Sequence, residues 1–236
     1  MIGRLIRKLE RFAPLSPEER GALQSLPVKL SEFARGEVIV PQGSVQQESA
    51  IVAAGFTCRF KILSDGTRQI VSLQVPGDFV DLHAFVLKPI DHAVAALSQA
   101  RIARVPHLAL EQMLERHPRL ARSLMWDMAV DGATTREWLA IMGCRSAYQQ
   151  LAHLFCELYF RVDWAGLIED HGFEFPMTQE ELADACGLST VHVNRSLQAL
   201  RKERLIVLEN RRLTIPQIND LVTAAEFDPA YLHLLE

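Results

Sequence analysis

Residues 178–204 constrain the fold more than any other part of this 236-residue chain. Their sequence is TQEELADACGLSTVHVNRSLQALRKER. Thr178 and Glu181 form a T-x-x-E capping box that begins a helix, and Gly187 ends that helix where a left-handed backbone is needed. Ser189 is a suitable N-cap for a second helix. The pattern therefore predicts two short helices joined by a tight turn, a helix-turn-helix.

The second predicted helix is amphipathic. At about 100° per residue, Val193, Leu197 and Leu200 share one face and are expected to pack against the protein. The opposite face carries polar, charged and apolar side chains near the helix N-terminus, where a recognition helix meets bases, and the two helix N-termini are suited to backbone phosphates. An ordinary solvated helix is the competing interpretation. The predicted DNA-contacting residues are Thr178, Gln179, Ser189, Thr190, Val191, His192, Asn194, Arg195 and Gln198.

The net charge of −4 does not decide against nucleic acid, because the charges are unevenly placed. Residues 145–236 hold 8 Lys and Arg against 14 Asp and Glu, a net of −6. Within them, residues 195–212 hold 6 basic residues against 2 acidic ones, a net of +4. Phosphate contacts respond to charge within a Debye length of about 10 Å, so this local patch is compatible with DNA.

Composition predicts a cytoplasmic protein with reduced thiols. Apolar residues make up 49% of the chain, enough for a substantial core. No run approaches about 20 uninterrupted apolar residues, so no membrane span is expected. Residues 1–12 lack the apolar segment of a signal peptide. The cysteines are widely spaced, so structural thiols are expected at Cys58, Cys144, Cys156 and Cys186.

Residues 28–106 are predicted to form an antiparallel β-barrel or jelly roll. Short segments rich in Val, Ile, Phe and Leu alternate there with glycine-bearing turns. Ser64-Asp65-Gly66-Thr67, between FKIL and QIVSLQV, is a strong hairpin signal. The spacing favours about eight short strands. The turn glycines are Gly36, Gly43, Gly55, Gly66 and Gly77.

Helices are predicted on both sides of the barrel. Two short ones precede it, the first with Ile2, Leu5, Ile6 and Leu9 on one face and the second beginning at Ser16. A helix over residues 107–117 follows, and then a long one from Pro118 to about Met142. An approximate 3–4 apolar spacing favours a coiled-coil seam between two chains, although a core helix remains an alternative. The predicted dimer contacts are Leu120, Leu124, Met128, Thr135 and Trp138.

The remainder is predicted to be a winged helix-turn-helix. Gly143-Cys144-Arg145 marks a break, and Ser146 with Gln149 begins a new helix. Asn210-Arg211 between LIVLE and RLTI predicts a β-hairpin, the wing, and residues 215–225 a closing helix. The fold class is therefore α+β. The predicted domains are a sensor barrel at 1–117, a dimerisation helix with hinge at 118–144, and a DNA-binding domain at 145–236.

This order of elements resembles the cyclic-AMP receptor protein/FNR (CRP/FNR) family of bacterial transcription regulators over nearly the whole chain. The resemblance rests on Arg35-Gly36-Glu37, Pro41-Gln42-Gly43 and Pro76-Gly77-Asp78-Phe79, and above all on TQEELADACGLSTVHVNRSLQAL. It implies a homodimer joined along residues 118–142, recognition of an inverted repeat in double-stranded DNA, and contact with RNA polymerase.

The resemblance also implies which residues read the bases. Arg195 occupies the position that reads a guanine in the family. Many members have glutamate where this chain has Val191, which cannot accept a hydrogen bond from cytosine N4 but can pack on a thymine methyl. The half-sites of the best-known members are therefore not expected here.

The sensor barrel departs from the cyclic-nucleotide pattern of the family. A cyclic phosphate needs free backbone N–H groups and an arginine. Asp91 and His92 stand roughly where the family has arginine and serine, and the only lysine or arginine from Leu82 to Ala100 is Lys88. Cyclic AMP is therefore not expected to bind in the usual way. The candidate effector-pocket residues are Asp81, Leu82, His83 and His92.

No cofactor and no metal site is predicted. An iron–sulfur cluster of the FNR type would need cysteines before Cys58. Haem is an open alternative, because some family members bind it and histidines are available at positions 83, 92 and 107. Cys186 in the helix-turn-helix is a candidate oxidation switch, although a buried packing role is favoured.

The leading hypothesis is a dimeric, sequence-specific transcription regulator with an unknown effector. A haem- or redox-responsive member of the same family is the first alternative. A ligand-binding or scaffolding module that does not bind DNA is the second, because residues 145–236 are acidic overall. An enzyme is not expected, since no H-E-x-x-H, G-x-S-x-G, phosphate-binding loop or dinucleotide motif is present.

Overall fold

A computed structural model describes residues 2–233, which divide into two compact units. The first unit contains residues 2–61 and 71–132, and the second contains residues 62–70 and 133–233. Within residues 2–233, no helix is both long enough and apolar enough to cross a membrane.

Two amphipathic helices open the first unit. Helix α1 (Ile2–Leu9) buries the four apolar residues that the sequence places on one face. Helix α2 (Pro17–Gln24) begins at Ser16, whose side chain accepts from the Glu19 backbone while Glu19 bonds the Ser16 backbone in return. This reciprocal capping box confirms the predicted start.

Seven strands follow, rather than the eight expected from the glycine spacing. They form a three-stranded sheet in the order β1-β7-β3 and a four-stranded sheet in the order β2-β6-β4-β5. The pairs β1–β7, β3–β7, β2–β6 and β4–β6 are antiparallel, and in the first of them Leu30 is opposite Ala103. The strands are β1 (Lys29–Phe33), β2 (Val38–Val40), β3 (Glu48–Ala54), β4 (Thr57–Ile62), β5 (Arg68–Gln74), β6 (Ala93–Ala96) and β7 (Ala100–Pro106).

Glycine is required at the turns between these strands. All five predicted turn glycines have positive φ. At Gly55 (φ +80°) an added Cβ would lie 2.3 Å from the Gln99 carbonyl oxygen, so a larger side chain would force the backbone apart. The 63–67 turn closes the predicted hairpin with a bond from Leu63 N–H to the Thr67 carbonyl.

Two consecutive helices leave the barrel. Helix α3 (His107–Arg116) is followed by helix α4 (Pro118–Cys144). The predicted break at Gly143-Cys144-Arg145 is two residues early, because α4 continues through Cys144 and the chain leaves helical geometry only at Arg145 and Ser146. The division between the two compact units falls at Gly132, in the middle of α4.

The second unit is built around helix α5 (Ala147–Trp164), whose predicted Ser146–Gln149 capping box is present. A small sheet in the order β8-β10-β9 lies in the same unit. The strands of this sheet are β8 (Gly172–Glu174), β9 (Val207–Glu209) and β10 (Arg212–Thr214). The other α-helices of the second unit are α6 (Gln179–Cys186), α7 (Thr190–Lys202) and α8 (Ile218–Ala225).

The predicted wing is confirmed. Strands β9 and β10 are antiparallel, with Glu209 opposite Arg212. The two residues between them, Asn210 (φ 50°) and Arg211 (φ 58°), are both left-handed, which is the backbone of a type I′ hairpin turn. Helix α8 begins at Ile218, three residues later than expected.

Candidate functional site

Side-chain caps position the two helices of the helix-turn-helix. Thr178 Oγ1 accepts from the Glu181 N–H at 3.1 Å, and Glu181 Oε2 accepts from the Thr178 N–H at 2.7 Å. Gly187 ends α6 in the left-handed conformation, with φ 62°. Ser189 Oγ accepts from the His192 N–H at 3.3 Å and begins α7. The local sequence therefore determines where both helices start.

Helix α7 has one buried face and one exposed face. Val193, Leu197 and Leu200 are fully buried, as the helical wheel predicts. Val191 is 64% exposed near the start of the helix. Arg195 is exposed and forms no ion pair or hydrogen bond with another residue of the described part of the chain. The exposed face thus offers an apolar group and a full set of guanidinium donors.

A short chain of amides connects the two helices. Asn194 Nδ2 donates to Gln179 Oε1 at 3.2 Å, across from α7 to the first residue of α6. Gln198 Nε2 donates to Asn194 Oδ1 at 3.0 Å. The bonds restrain three side chains that the sequence analysis assigned to DNA contact, and they explain why Asn194 is the only half-buried member of that set.

The other predicted DNA-contacting residues lie on the surface. Arg201, Lys202, Arg204 and Arg211 of the basic patch are exposed as well. Arg201 donates to the Leu208 carbonyl, so part of the patch is tied to the wing. The exposed contact candidates beside Arg195 and Gln198 are Thr178, Gln179, Ser189, Thr190, Val191 and His192.

The predicted dimer seam on α4 needs correction. Leu120 and Leu124 are buried in the core of the first unit, together with residues of α1 and α2. Trp138 is buried as well, and its Nε1 donates to Glu157 Oε2 of α5 at 2.8 Å. These three side chains are covered by their own chain and are not available to a partner. The exposed large apolar residues of α4 are Met125, Met128 and Leu139, and Thr135 is also exposed.

A second group of polar residues extends from the interior of the barrel to its surface. The rings of His83 and His92 are 4.9 Å apart between centroids. His92 Nδ1 lies 3.0 Å from Asp91 Oδ1, and Asp91 Oδ2 accepts from Lys61 at 3.1 Å. The structure therefore brings together two of the four predicted effector-pocket residues, His83 and His92, and adds Asp91 to them.

The other two predicted pocket residues serve the barrel itself. Asp81 Oδ1 accepts from the Ala50 N–H at 2.7 Å. Leu82 packs in the apolar core of the first unit. Burial raises the pKa of Asp81 to about 6 despite that hydrogen bond. Asp81 and Leu82 thus hold the short 3-10 helix Leu82–Phe85 in place, and this helix carries His83.

Burial controls the charge of the two histidines. It lowers the pKa of His83 to about 4, and the nearby charge of Arg59 acts in the same direction. Burial also lowers the pKa of His92, although Asp91 partly opposes it. Burial alone would raise the pKa of Asp91, but its bonds to His92 and Lys61 lower it to about 2. At neutral pH the group therefore contains two neutral imidazoles and one carboxylate.

Arg59 is a residue that the sequence analysis missed. Its side chain is buried, and its Nε donates to the Val80 carbonyl at 2.8 Å. Its guanidinium also bonds the Phe79 carbonyl and forms an ion pair with Asp131 of α4. An arginine in the apolar run FTCRFKIL, within a predicted strand, was the available signal of an inward-facing charge.

Two further candidates from the sequence occupy ordinary packing positions. Cys186 is buried, and burial raises the pKa of its thiol to about 12, which disfavours the reactive thiolate. His107 is buried at the start of α3 and packs edge-on against Phe85, apart from the His83–His92 pair. The geometry supports a packing role for Cys186.

Comparisons with known proteins cover both units. A cyclic nucleotide-binding domain matches residues 30–117, and a Crp-like helix-turn-helix domain matches residues 149–224. The chain is 30% identical over 184 residues to a probable transcriptional activator of Rhizobium leguminosarum bv. viciae, covering 78% of this chain and 75% of that protein. It is 28% identical over 214 residues to the transcriptional activator protein FnrL of Cereibacter sphaeroides, covering 89% and 85%.

A solved structure has the same fold. FixK2 from Bradyrhizobium japonicum superposes with a TM-score of 0.74 at 21% identity, covering 84% of this chain and 98% of that one. The likeness confirms the α+β class, with an N-terminal β-rich domain, a long helix and a C-terminal helix-turn-helix with a small sheet.

Proposed function

Because this chain belongs to the CRP/FNR family of DNA-binding transcription regulators, we propose that it binds an inverted-repeat operator as a homodimer through helix α7. The family consists of regulators and not of enzymes, in agreement with the sequence analysis. The exposed face of α7 carries this proposal, because it combines an unpaired guanidinium with a restrained amide chain beside two capped helix N-termini.

The chemistry of that face suits the edges of base pairs in the major groove. Arg195 can donate two hydrogen bonds to O6 and N7 of guanine. Val191, one turn before Arg195, can pack on a thymine methyl. The capped N-termini at Thr178 and Ser189 present backbone N–H groups and hydroxyls to phosphates, which set the register. Each subunit would in this way read one half of the operator.

A row of exposed side chains on α4, which differs in part from the predicted seam, supports the homodimer. Met125 and Met128 are three residues apart, Thr135 follows seven residues later and Leu139 four residues after that, so all four share one face of α4. Met125 (69% exposed) and Leu139 (70% exposed) are largely uncovered by the described residues. Exposed apolar residues at this spacing are typical of a seam between two helices. A two-fold pair of α4 helices would bury them against their own copies.

We also propose that cyclic AMP is not the effector in the usual binding mode. Asp91 would repel a phosphate where it stands, and Arg59, the buried arginine of the barrel, is engaged with Asp131 and two carbonyls. An isothermal titration of the protein with cyclic AMP is expected to give no saturable heat. Tight stoichiometric binding would contradict this proposal.

The place and partners of the protein follow from DNA binding. A regulator of bacterial promoters works in the cytoplasm, where the DNA is, and acts on RNA polymerase. Relatives named as transcriptional activators support a polymerase contact for this chain.

Selection of bound DNA from genomic fragments tests the proposal. The wild type is expected to select an inverted repeat with a guanine in each half-site. Arg195→Ala is expected to lose that preference and to bind the selected operator roughly 5- to 150-fold more weakly, since a bidentate pair contributes about 1–3 kcal/mol. Arg195→Lys keeps the charge but not the two-pronged geometry, so it should retain non-specific binding and lose the guanine.

Arg101→Ala is the matched control. Arg101 is an exposed arginine on β7 of the barrel, so its removal changes the net charge equally without touching α7. Its operator preference should equal that of the wild type. Recognition through Arg195 is wrong if Arg195→Ala selects the same sequences with the same affinity.

A further inference from the structure

His83, Asp91 and His92 form what we call the barrel triad. One potential ligand atom from each residue lies within 4.8 Å of those from the other two. His92 is 94% buried, and the Nε2 atoms of both histidines are buried without a hydrogen-bond partner among the described residues. Buried nitrogens of this kind are ordinarily satisfied by a partner. The ring nitrogens of His107 also lack one among the described residues, but only His83 and His92 lie next to each other and beside a carboxylate, so these two can bind one ligand together.

The donor types identify the class of that ligand. Imidazole nitrogens prefer borderline transition-metal ions, whereas Mg²⁺ and Ca²⁺ prefer oxygen ligands. A carboxylate that accepts from the other nitrogen of a histidine fixes its tautomer and raises its basicity as a ligand, and Asp91 Oδ1 lies 3.0 Å from His92 Nδ1. Asp91 can alternatively coordinate directly. Both arrangements need the two imidazoles and the Asp91 charge.

The surrounding charges permit a cation. Arg59 of β4 is the nearest buried positive charge, and its ion pair with Asp131 of α4 balances it. Lys61 of β4 pairs with Asp91, but its side chain is 42% exposed and can remain solvated when Asp91 turns to a metal ion. Neither residue leaves an uncompensated charge next to the barrel triad.

We propose that the barrel triad binds one divalent first-row transition-metal ion per chain, with His83 and His92 as nitrogen ligands and Asp91 as the carboxylate. The protein supplies two ligands when Asp91 bonds His92 and three when Asp91 coordinates directly, so at least one coordination position remains for water or a small ligand. The site uses none of the residues assigned to DNA contact, so metal binding can be measured without DNA.

The position of the site makes the ion a candidate effector, an extension that rests on the proposed function. In the sequence, His83 comes shortly after Phe79 and Val80, whose carbonyls accept hydrogen bonds from Arg59. Arg59 in turn forms an ion pair with Asp131 on α4. A ligand that moves the 82–85 turn would act beside the ion pair that joins the barrel to α4.

Cobalt(II) titration of the tag-free, chelator-treated full-length protein tests the metal site. We expect visible d–d absorption that saturates at one Co²⁺ per chain and is displaced by Zn²⁺. Asp91→Asn should weaken binding by about 10- to 100-fold. His83→Gln and His92→Gln should weaken it further, because each removes a ligand. His107→Gln, which changes a buried histidine outside the barrel triad, should leave binding unchanged.

The possible results distinguish the metal site from the proposed role of the metal ion as effector. Failure of the wild type to bind Co²⁺ or Zn²⁺ overturns the proposal, and so does stoichiometric binding that survives Asp91→Asn and either histidine variant. Asp91 is exposed, so Asp91→Asn is expected to fold even if a histidine variant does not. Operator affinity with and without Zn²⁺ tests the extension alone. A Zn²⁺ effect lost in Asp91→Asn supports it, and an unchanged affinity overturns it while the metal site stands.

Discussion

The helix-turn-helix and the barrel triad place their working residues in opposite environments. On α7 the side chains proposed to contact DNA are exposed. Residues close to them in the sequence cap the helix and hold these side chains in position. In the barrel, His83 comes from a short 3-10 turn, and Asp91 and His92 directly precede β6. These two segments meet through the His83–His92 ring contact and the Asp91–His92 contact only when the chain is folded. A site made from one continuous segment can be identified from its local pattern. A site made from two separate segments can be identified only from the fold.

Helix α4 offers the strongest test of this difference, because its covered and exposed residues alternate. Leu124→Glu puts an unpaired charge into the core of the first unit and should destabilise folding by more than about 4 kcal/mol. Leu139→Glu changes an exposed residue and should leave each chain folded. In a two-fold seam it would place like charges opposite each other, which costs several kcal/mol, so dimers should dissociate.

Thermal denaturation and analytical ultracentrifugation distinguish the two variants. The dimer surface is misplaced if Leu139→Glu remains a dimer at the wild-type concentration dependence. Folded Leu124→Glu monomers would return Leu124 to the seam. Arg136→Glu, at another exposed position of α4, shows whether charge alone produces the effect.

Lys8 should have the next largest effect. Its Nζ lies 2.6 Å from both Asp78 and Asp127, which are nearly buried. Burial alone would lower the pKa of Lys8, but the charges of Asp127 and Asp78 raise it above its usual value. Lys8→Met removes the cation that Asp78 and Asp127 share inside the first unit and should cost about 3–5 kcal/mol in the free energy of unfolding, measured with urea. Arg20→Met, which breaks an exposed pair with Glu10, should cost less than about 1 kcal/mol.

The direction in which pH changes the stability of the wild type and of Lys8→Met follows from the pKa values of the buried groups. In the wild type the folded-state pKa of Lys8 exceeds that of the unfolded chain, so its contribution is full below pH 10.5 and is lost as the pH rises through the folded-state value. Burial raises the pKa of Asp127 and Lys8 opposes that rise, so in Lys8→Met this carboxyl takes up a proton more readily than in the unfolded chain. The deficit should therefore shrink as the pH falls towards 4. A deficit independent of pH would show that the ion pairs are not its cause.

The smallest expected effect is at the cap of α6. Thr178→Ala removes the side chain that accepts from the Glu181 N–H and should lower the stability of the second unit by about 1 kcal/mol. Thr178→Ser keeps the hydroxyl and should behave as the wild type. If Thr178→Ala weakens operator binding beyond its effect on stability, the hydroxyl also contacts phosphate.

Short-range patterns account for what could be predicted. The capping boxes at Ser16, Ser146 and Thr178 and the left-handed Gly187 follow from neighbouring residues, because each involves interactions within one turn. The apolar spacing of α4 allowed a less complete prediction. Its period identified a helix with a covered stripe, but it could not tell whether the same chain or a second chain covers Leu120 and Leu124.

The sequence by itself determined the helix-turn-helix, the wing, the glycine turns and the order of the domains, because each depends on backbone preferences and hydrophobic period within a few residues. Only the tertiary structure decided which side of α4 is free, that Arg59 pairs with Asp131, and that His83, Asp91 and His92 meet. These features depend on how the strands close and on what covers each side chain. Local residue order does not specify contacts between segments so far apart in the chain.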